Sequence, residues 1–504
     1  IEADLRAVAD NLLFVVPGTE GPGGRSAAAP LREEDAAAIE SQVDGVVRAV
    51  PTAARSLRAT LGDRTWRTMA WGVTSPWFDL MRWEIAAGRR PTEGEVRAGE
   101  SVCVLGHTVV TQLFGARPPI GERVRLAGNR MQELVGAPSS ERRTPLLCPH
   151  APRCGGCTLQ HMSDDLYRAW KNGLLTSALA LAGVPTDAVR PMVAVPLRSR
   201  RRAVLTAARV EGAVAIGFHE AGSHRLVDLR ACAVLVPEIV SALPSLREML
   251  AIVLEGTTAA RVTVLATPSG LDVLIGGGRQ RLSAEERSVM AALAARARIA
   301  RLSLGEQLVL LSATPLLDLG GVRITPPPGA FVQAVEAAEM AMRSLVVDGI
   351  AKAGNVADLF AGVGTFALPL ARRARVVAID SDRKALAALE AAARHAPGLK
   401  PIEARGRDLM RDPLSQRELD AFDAVVLDPP RAGAKTQAEA LARSKVPRVV
   451  AVSCNPATLA RDVRTLVDGG YEIESATPID QFVFTPHLEA VVVLARKAAG
   501  RRRG

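Results

Sequence analysis

At 504 residues the chain can hold roughly three domains, and 48% hydrophobic with 23% charged residues is ordinary for a globular protein. No apolar run reaches the ~18 residues that a membrane-crossing helix needs, and no cationic, apolar leader is seen. The net charge of +10 is uneven: residues 1–140 hold 16 Arg, no Lys and 17 acidic residues, a net of −1, so the remainder carries +11. A basic remainder suits a polyanion such as RNA. Three of the six cysteines fall within ten residues, which a secreted disulfide protein would not favour, so a reducing compartment is expected after residue 140. The chain opens at Ile1 rather than Met, which leaves room for an upstream segment.

In residues 1–137, Asn11 to Val16 reads as a strand ending at Pro17-Gly18. Arg32 to Val47 reads as a helix with Glu33, Glu34 and Asp35 in its first turn, where acids complement the dipole. Short strands follow at Val102 to Leu105 and Arg123 to Leu126, and Cys103 reads as core. Four of the five Trp (Trp66, Trp71, Trp77, Trp83) precede residue 140. Together with the charge shift, this places a boundary near Ala137 to Arg143, with Ala137-Pro138-Ser139-Ser140 as linker. No catalytic constellation stands out. The segment resembles the periplasmic core domain of MacB-like ABC transporter permeases. That likeness rests on Asn11 to Gly18, Glu34-Asp35, Gly72-Val73 with Ser75 to Phe78, Gly88-Arg89, Val102 to Gly106, Leu113-Phe114-Gly115 and Ile120-Gly121. It implies flanking membrane helices, and no such helix is expected in this chain.

In residues 141–325, Cys148, Cys154 and Cys157 form C-x5-C-x2-C, and Gly155-Gly156 allow a tight turn between ligands. Such spacing suits zinc or an iron–sulfur cluster, with Cys232, His150, His161, His219 or His224 as fourth ligand. Arg198, Arg200, Arg201 and Arg202 form either a solvated face or a phosphate contact. Val204 to Leu226, Arg261 to Ile275 and Leu308 to Ala313 read as strands of a mainly antiparallel sheet, and Ser283 to Arg298 as a helix.

From residue 326 strands alternate with helices, the pattern of a parallel sheet. Glu336 to Val347 reads as a helix. Val356-Ala357 leads into Asp358 to Thr365, a glycine turn. Arg375 to Ile379 is a second strand, and the Asp380 that follows it is placed to bind ribose hydroxyls. Leu368 stands where the dinucleotide fingerprint needs its third glycine, so S-adenosylmethionine fits better than NAD. Phe422 to Leu427 is a strand whose Asp428-Pro429-Pro430-Arg431 turn holds Asp428 at the sheet edge. Val449 to Val452 is the next strand, and Ala457 to Val467 a helix with Pro456 in its first turn. Cys454 lies between them, where a helix N-terminus can depress a thiol pKa. Gln481 to Phe484 and Ala490 to Leu494 read as strands around a loop that could bring Glu489 to the same edge.

Taken together, residues 141–498 resemble the S-adenosylmethionine-dependent RNA uracil-5-methyltransferases of the TrmA/RumA type. The motifs are Cys148 to His161, Phe331-x-Gln333, Asp358 to Gly364, Asp428 to Gly433, Ser453 to Asp462 and His487-Leu488-Glu489. The resemblance implies a [4Fe–4S] cluster on Cys148, Cys154, Cys157 and Cys232. It implies S-adenosylmethionine contacts from Gln333, Phe360, Thr365, Asp380, Asp408 and Asp428, with Cys454 as nucleophile and Glu489 as base. The implied fold is α/β. A Rossmann-like class I methyltransferase domain (326–504) follows a mainly antiparallel α+β iron–sulfur domain with an RNA-binding sheet (138–325), and a separate α+β domain (1–137) comes first. Structured RNA is the implied partner, rRNA ahead of tRNA, with no DNA, a cytoplasmic setting and a monomer. Val335 stands where the family often has Asn, Thr365 replaces Asn and Asp380 replaces Glu. The MacB-like segment replaces the small β-barrel that many relatives carry. Phe331, Phe482 and Phe484 are candidate stacking platforms.

The expected product is therefore 5-methyluridine. One alternative is a MacB-like transporter module with an incidental enzyme portion. Another is an exocyclic-amine methyltransferase built on Asp428-Pro429-Pro430, which would leave Cys454 and Glu489 without a purpose.

Overall fold

The computed structural model describes residues 33–497, apart from 44–45, 63, 82, 99, 116, 127–130, 139–142, 144–145, 152, 221–222, 224 and 256–258. The expected strand at Asn11 to Val16 lies outside the described residues. The chain divides into two compact units, 1–144 with 161–163, and 145–160 with 164–504. Among the described residues no helix is long and apolar enough to cross a membrane.

The first unit is a mixed six-stranded sheet with short helices. A hairpin of Thr52–Leu61 and Arg64–Val73, unexpected from the sequence, forms its edge. Gly62 at φ +59° supplies the left-handed backbone that a two-residue turn requires. Leu113, Phe114, Ala59 and Val124 close one core, and Trp71 stacks on Trp77 at 5.6 Å. The helix expected over 32–47 runs Glu33–Gln42. The expected linker is corrected: Ala137 and Pro138 end a strand, Met131–Pro138, because their backbone pairs with Ile85–Gly88.

The second unit holds two seven-stranded sheets. The central sheet runs Gln307–Leu311, Ile299–Leu304, Gly270–Gly276, Ala259–Thr267, Arg202–Val210, Ala213–His219, Leu226–Asp228. It is antiparallel except where Gly270–Gly276 meets Ile299–Leu304. Burial alternates along Arg202–Val210, so Ala203, Leu205 and Ala207 face the core beneath helices Pro237–Val253 and Ala284–Arg296. Ser283 caps the second helix through a reciprocal capping box with Glu286. Ile299–Leu304 escaped the sequence reading because Arg301 sits in its middle. That guanidinium is buried against Asp272, at 2.8 and 2.6 Å.

The C-terminal sheet contains β1 (Asn355–Leu359), β2 (Arg375–Asp380), β3 (Ile402–Gly406), β4 (Ala424–Leu427), β5 (Arg448–Ser453), β6 (Tyr471–Ile479) and β7 (Glu489–Arg496). Their order is β3-β2-β1-β4-β5-β7-β6, parallel except for β7. Apolar clusters cover both faces, which explains the unbroken hydrophobic runs of β4 and β5. The order reverses between β1 and β4, and the crevice beyond their carboxyl ends is where such sheets bind ligands. The expected strand at Gln481 to Phe484 is corrected: those residues form a loop, and the strand before it is β6. Pro478 and the acids Glu472 and Glu474 disguised β6 in the sequence.

Candidate active site

Backbone register brings Cys454 and Glu489 to one edge. Ser453, the last residue of β5, pairs with Ala490 of antiparallel β7. Cys454 therefore follows one strand just where Glu489 opens its neighbour. Asn455 caps the helix Pro456–Asp468 by accepting from the Ala457 N–H at 3.1 Å. Its Nδ2 and the Thr458 hydroxyl both donate to the Arg431 carbonyl, at 3.1 and 3.2 Å. This ties the Asp428–Arg431 turn to the cysteine loop. The Arg431 guanidinium donates to His487 Nδ1 at 2.6 Å. Burial, then Arg431, Lys171 and Arg200, hold His487 down to about 4, so it is neutral near pH 7.

A buried chain of amides joins two carboxylates. Gln333 Nε2 donates to Asp428 Oδ2 at 3.2 Å, and Gln333 Oε1 accepts from Gln481 Nε2 at 2.9 Å. The same Gln481 nitrogen donates to Glu489 Oε1 at 3.2 Å, while Gln481 Oε1 accepts from the Val335 N–H at 3.2 Å. Val335 joins this chain through its backbone N–H, which any residue at that position except proline would supply. Gln333, Gln481 and Glu489 are all buried. Burial raises both carboxyl groups well above the usual range, and Asp428 raises Glu489 further. Gln481 was missed as a site residue in the sequence, having been read as the start of a strand.

The depressed thiol pKa expected for Cys454 is corrected. Burial, then Glu489 and Asp428, push it up to about 11, against the opposing charge of Arg431. Desolvation and two nearby carboxylates outweigh the helix terminus.

The remaining candidates lie at or just past the carboxyl ends of β1, β2 and β3. Phe360 follows β1 in a left-handed backbone, φ +63°, an uncommon state for a bulky residue. Asp380 ends β2 and accepts from the N–H groups of Gly362 and Asp382, each at 2.8 Å. A Cβ on Gly362 would meet nothing within 4 Å, so the turn opens onto free space, whereas one on Gly364 would strike Leu389 Cδ1 at 2.4 Å. Asp358 is completely buried, and neither oxygen has a well-aligned hydrogen-bond partner. Burial first, then Asp428 and Asp380, raise its pKa strongly, with the Ala367 N–H opposing. Thr365 is buried nearby in the turn, and Asp408 lies just past β3, half exposed, accepting from the Met410 N–H at 3.1 Å.

Cys148, Cys154, Cys157 and Cys232 lie within electrostatic reach of one another. Burial pushes Cys157 up to about 12, and the other three thiols add to it while Arg200 opposes. Among the described residues no three Cys, His, Asp or Glu converge closely enough for a single metal ion. His150 instead accepts from the Arg230 N–H at 3.1 Å. Of the arginine run Arg198 is exposed, whereas the other three are drawn into the fold. Arg201 is buried against Glu339 at 2.7 Å, Arg200 lies over the Phe482 ring at 5.8 Å, and Arg202 over Phe331 at 5.4 Å. Phe331 is 68% exposed and Phe484 buried, so only the former presents a ring to solvent.

Comparison with known proteins agrees with this topology. The family model "tRNA (Uracil-5-)-methyltransferase" matches residues 404–497, "Methyltransferase small domain" matches 322–446, and "MacB-like periplasmic core domain" matches 1–143. An "uncharacterized RNA methyltransferase" of Brucella suis is 45% identical over 379 residues, covering 75% of this chain and 91% of the relative. The 23S rRNA (uracil(1939)-C(5))-methyltransferase RlmD of Chromohalobacter salexigens is 33% identical, covering 75% of this chain and 83% of its own. The crystal structure of Pyrococcus abyssi tRNA (uracil-54, C5)-methyltransferase with S-adenosyl-L-homocysteine shares the fold, with TM-score 0.56, 22% identity and coverage of 74% and 89%.

Proposed function

We propose a reaction from one premise: the chain belongs to the RNA methyltransferase family that includes the uracil-C5 enzyme RlmD. It methylates C5 of a uridine in structured RNA, rRNA ahead of tRNA, using S-adenosylmethionine. The carrying observation is the placement of Cys454 and Glu489 on adjoining strand ends, with Gln481 linking Glu489 to Gln333 and Asp428.

The crevice suits the methyl donor. Gly362 leaves open space above the turn, Asp380 stands at the β2 end for ribose hydroxyls, and Asp358 adds a buried carboxyl that is electrostatically coupled to Asp380 and Asp428. Phe360, Thr365, Asp408 and Asp428 line the same edge. When bound, S-adenosylmethionine supplies a methyl group made electrophilic by its sulfonium.

C5 of uracil is too weak a nucleophile to accept that methyl unaided. The Cys454 sulfur adds to C6, and the C5–C6 π electrons move to make C5 enolate-like, which divides one hard step into easier ones. Because the thiol is protonated in the free protein, its proton passes to solvent as the uracil docks, and Arg431 favours the resulting anion. Once C5 carries the methyl, Glu489 removes the C5 proton. The C–H pair then forms the C5–C6 double bond and expels the Cys454 thiolate, and the proton passes from Glu489 to solvent. A carboxylate with raised pKa is a competent base near neutral pH. The target base must be unstacked to reach this pocket.

Cys148, Cys154, Cys157 and Cys232 would hold a [4Fe–4S] cluster. Four thiols within electrostatic reach of one another, yet too spread for a single ion, suit a bulkier cluster, with Arg200 to offset its charge. It takes no part in the steps above.

The test is methylation of total RNA with labelled cofactor, followed by mapping of 5-methyluridine. Its absence from every RNA class would end this reading.

A further inference from the structure

One buried cation has no part in the chemistry above. Lys171 lies on the helix Asp164–Leu181 and is 0% exposed. Its ammonium forms an ion pair with Asp480 at 2.7 Å and donates to the backbone carbonyls of Phe482, at 3.2 Å, and His487. One turn earlier Tyr167 donates its hydroxyl to Asp480 Oδ2 at 2.6 Å, and the same Tyr167 hydroxyl accepts from the Phe484 N–H at 2.9 Å. The Leu159 N–H adds a bond to the Phe484 carbonyl at 2.9 Å. Phe484 itself is held at φ +61°, a strained state for an aromatic residue that persists only where surroundings impose it.

All these contacts converge on residues 480–488, the loop between β6 and β7. Gln481 lies in it, His487 near its end, and Glu489 directly after it. Burying an ammonium is costly unless it is paired, and apolar packing would hold a loop at lower cost. What the ion pair adds is direction: three loop carbonyl and amide groups and one carboxylate are fixed relative to a single helix.

We infer that Lys171 and Tyr167 are positioning residues for proton removal, fixing the 480–488 loop so that Glu489 meets the C5 proton. The inference rests on the roles given above to Cys454 and Glu489. It separates the two halves of the reaction. Sulfur addition is governed by β5 and the Asp428–Arg431 turn, to which Lys171 is linked through His487, the Arg431 partner, and not by direct contact. Proton removal is governed by the loop they hold.

The test uses the full-length protein, Tyr167→Phe and Lys171→Gln, and an RNA that the wild type methylates. For Tyr167→Phe, kcat should fall about 10- to 100-fold, the cost of a displaced base. KM for RNA should stay near wild type. An SDS-stable Cys454–RNA adduct should accumulate, and deuterium at C5 of the target uridine should slow turnover more than in the wild type. Wild-type kcat, or loss of adduct in parallel with activity, would overturn the inference. Tyr167→Phe removes a single oxygen, so it decides the matter even if Lys171→Gln fails to fold. If Cys454→Ala retained full turnover, the reading beneath the inference would fail instead, a separate and recognisable result.

Discussion

Gln481 Nε2 stands 3.2 Å from Glu489 Oε1, while Glu489 Oε2 is buried with no hydrogen-bond partner among the described residues. One amide thus orients the proposed base and leaves its second oxygen free for a proton. Gln481→Leu would strip that bond and leave Gln333 Oε1 unsatisfied as well. We expect kcat to fall about 10- to 100-fold with KM for RNA little changed. Steady-state kinetics decide this, and a change confined to KM would refute it.

Cys454 and Glu489 should fail differently. Cys454→Ala should form no covalent complex and no product. Glu489→Gln should form the complex and stall there, visible as a protein–RNA band that survives SDS. Equal absence of the band in both variants would contradict the division of labour.

The thiol should be sluggish in the absence of RNA. With its pKa pushed to about 11, the Cys454 thiolate fraction rises with pH throughout the neutral and mildly alkaline range. Alkylation by iodoacetamide should accelerate about tenfold per pH unit there. Glu489→Gln removes a repelling charge, so its profile should shift to lower pH. A plateau below pH 8 in the wild type would show the thiol to be activated already.

Two changes test the crevice. Asp380→Ala should weaken S-adenosylhomocysteine binding about tenfold, roughly 1.4 kcal/mol by calorimetry. It should leave RNA affinity intact. Gly364→Ala combines a left-handed backbone, φ +90°, with a Cβ 2.4 Å from Leu389 Cδ1. It should cost about 1–3 kcal/mol, read as a lower Tm.

Much of the catalytic half was legible from residues alone, because parallel strands buried on both faces announce themselves and their edges carry Asp380, Asp428 and Cys454. β6 was not, since its polar residues and Pro478 broke the pattern. Ile299–Leu304 hid behind Arg301, whose charge is cancelled only by Asp272 across the sheet. Lys171 and Gln481 could not be found either: each draws its meaning from partners distant in sequence, at Asp480 and Gln333. The Cys454 environment was misjudged for the same reason, because a helix start is local while the carboxylates opposing it are brought in by folding.

The pairing of Ser453 with Ala490 has a further consequence. A slip of one residue would turn Glu489 to the opposite side of the sheet. The gap between the proposed attacking sulfur and proton acceptor is thereby set by a backbone ladder, while the 480–488 loop aims the carboxylate that the ladder places. Surfaces that choose the RNA can drift, or even be exchanged for an unrelated N-terminal segment, while the reacting atoms keep their spacing.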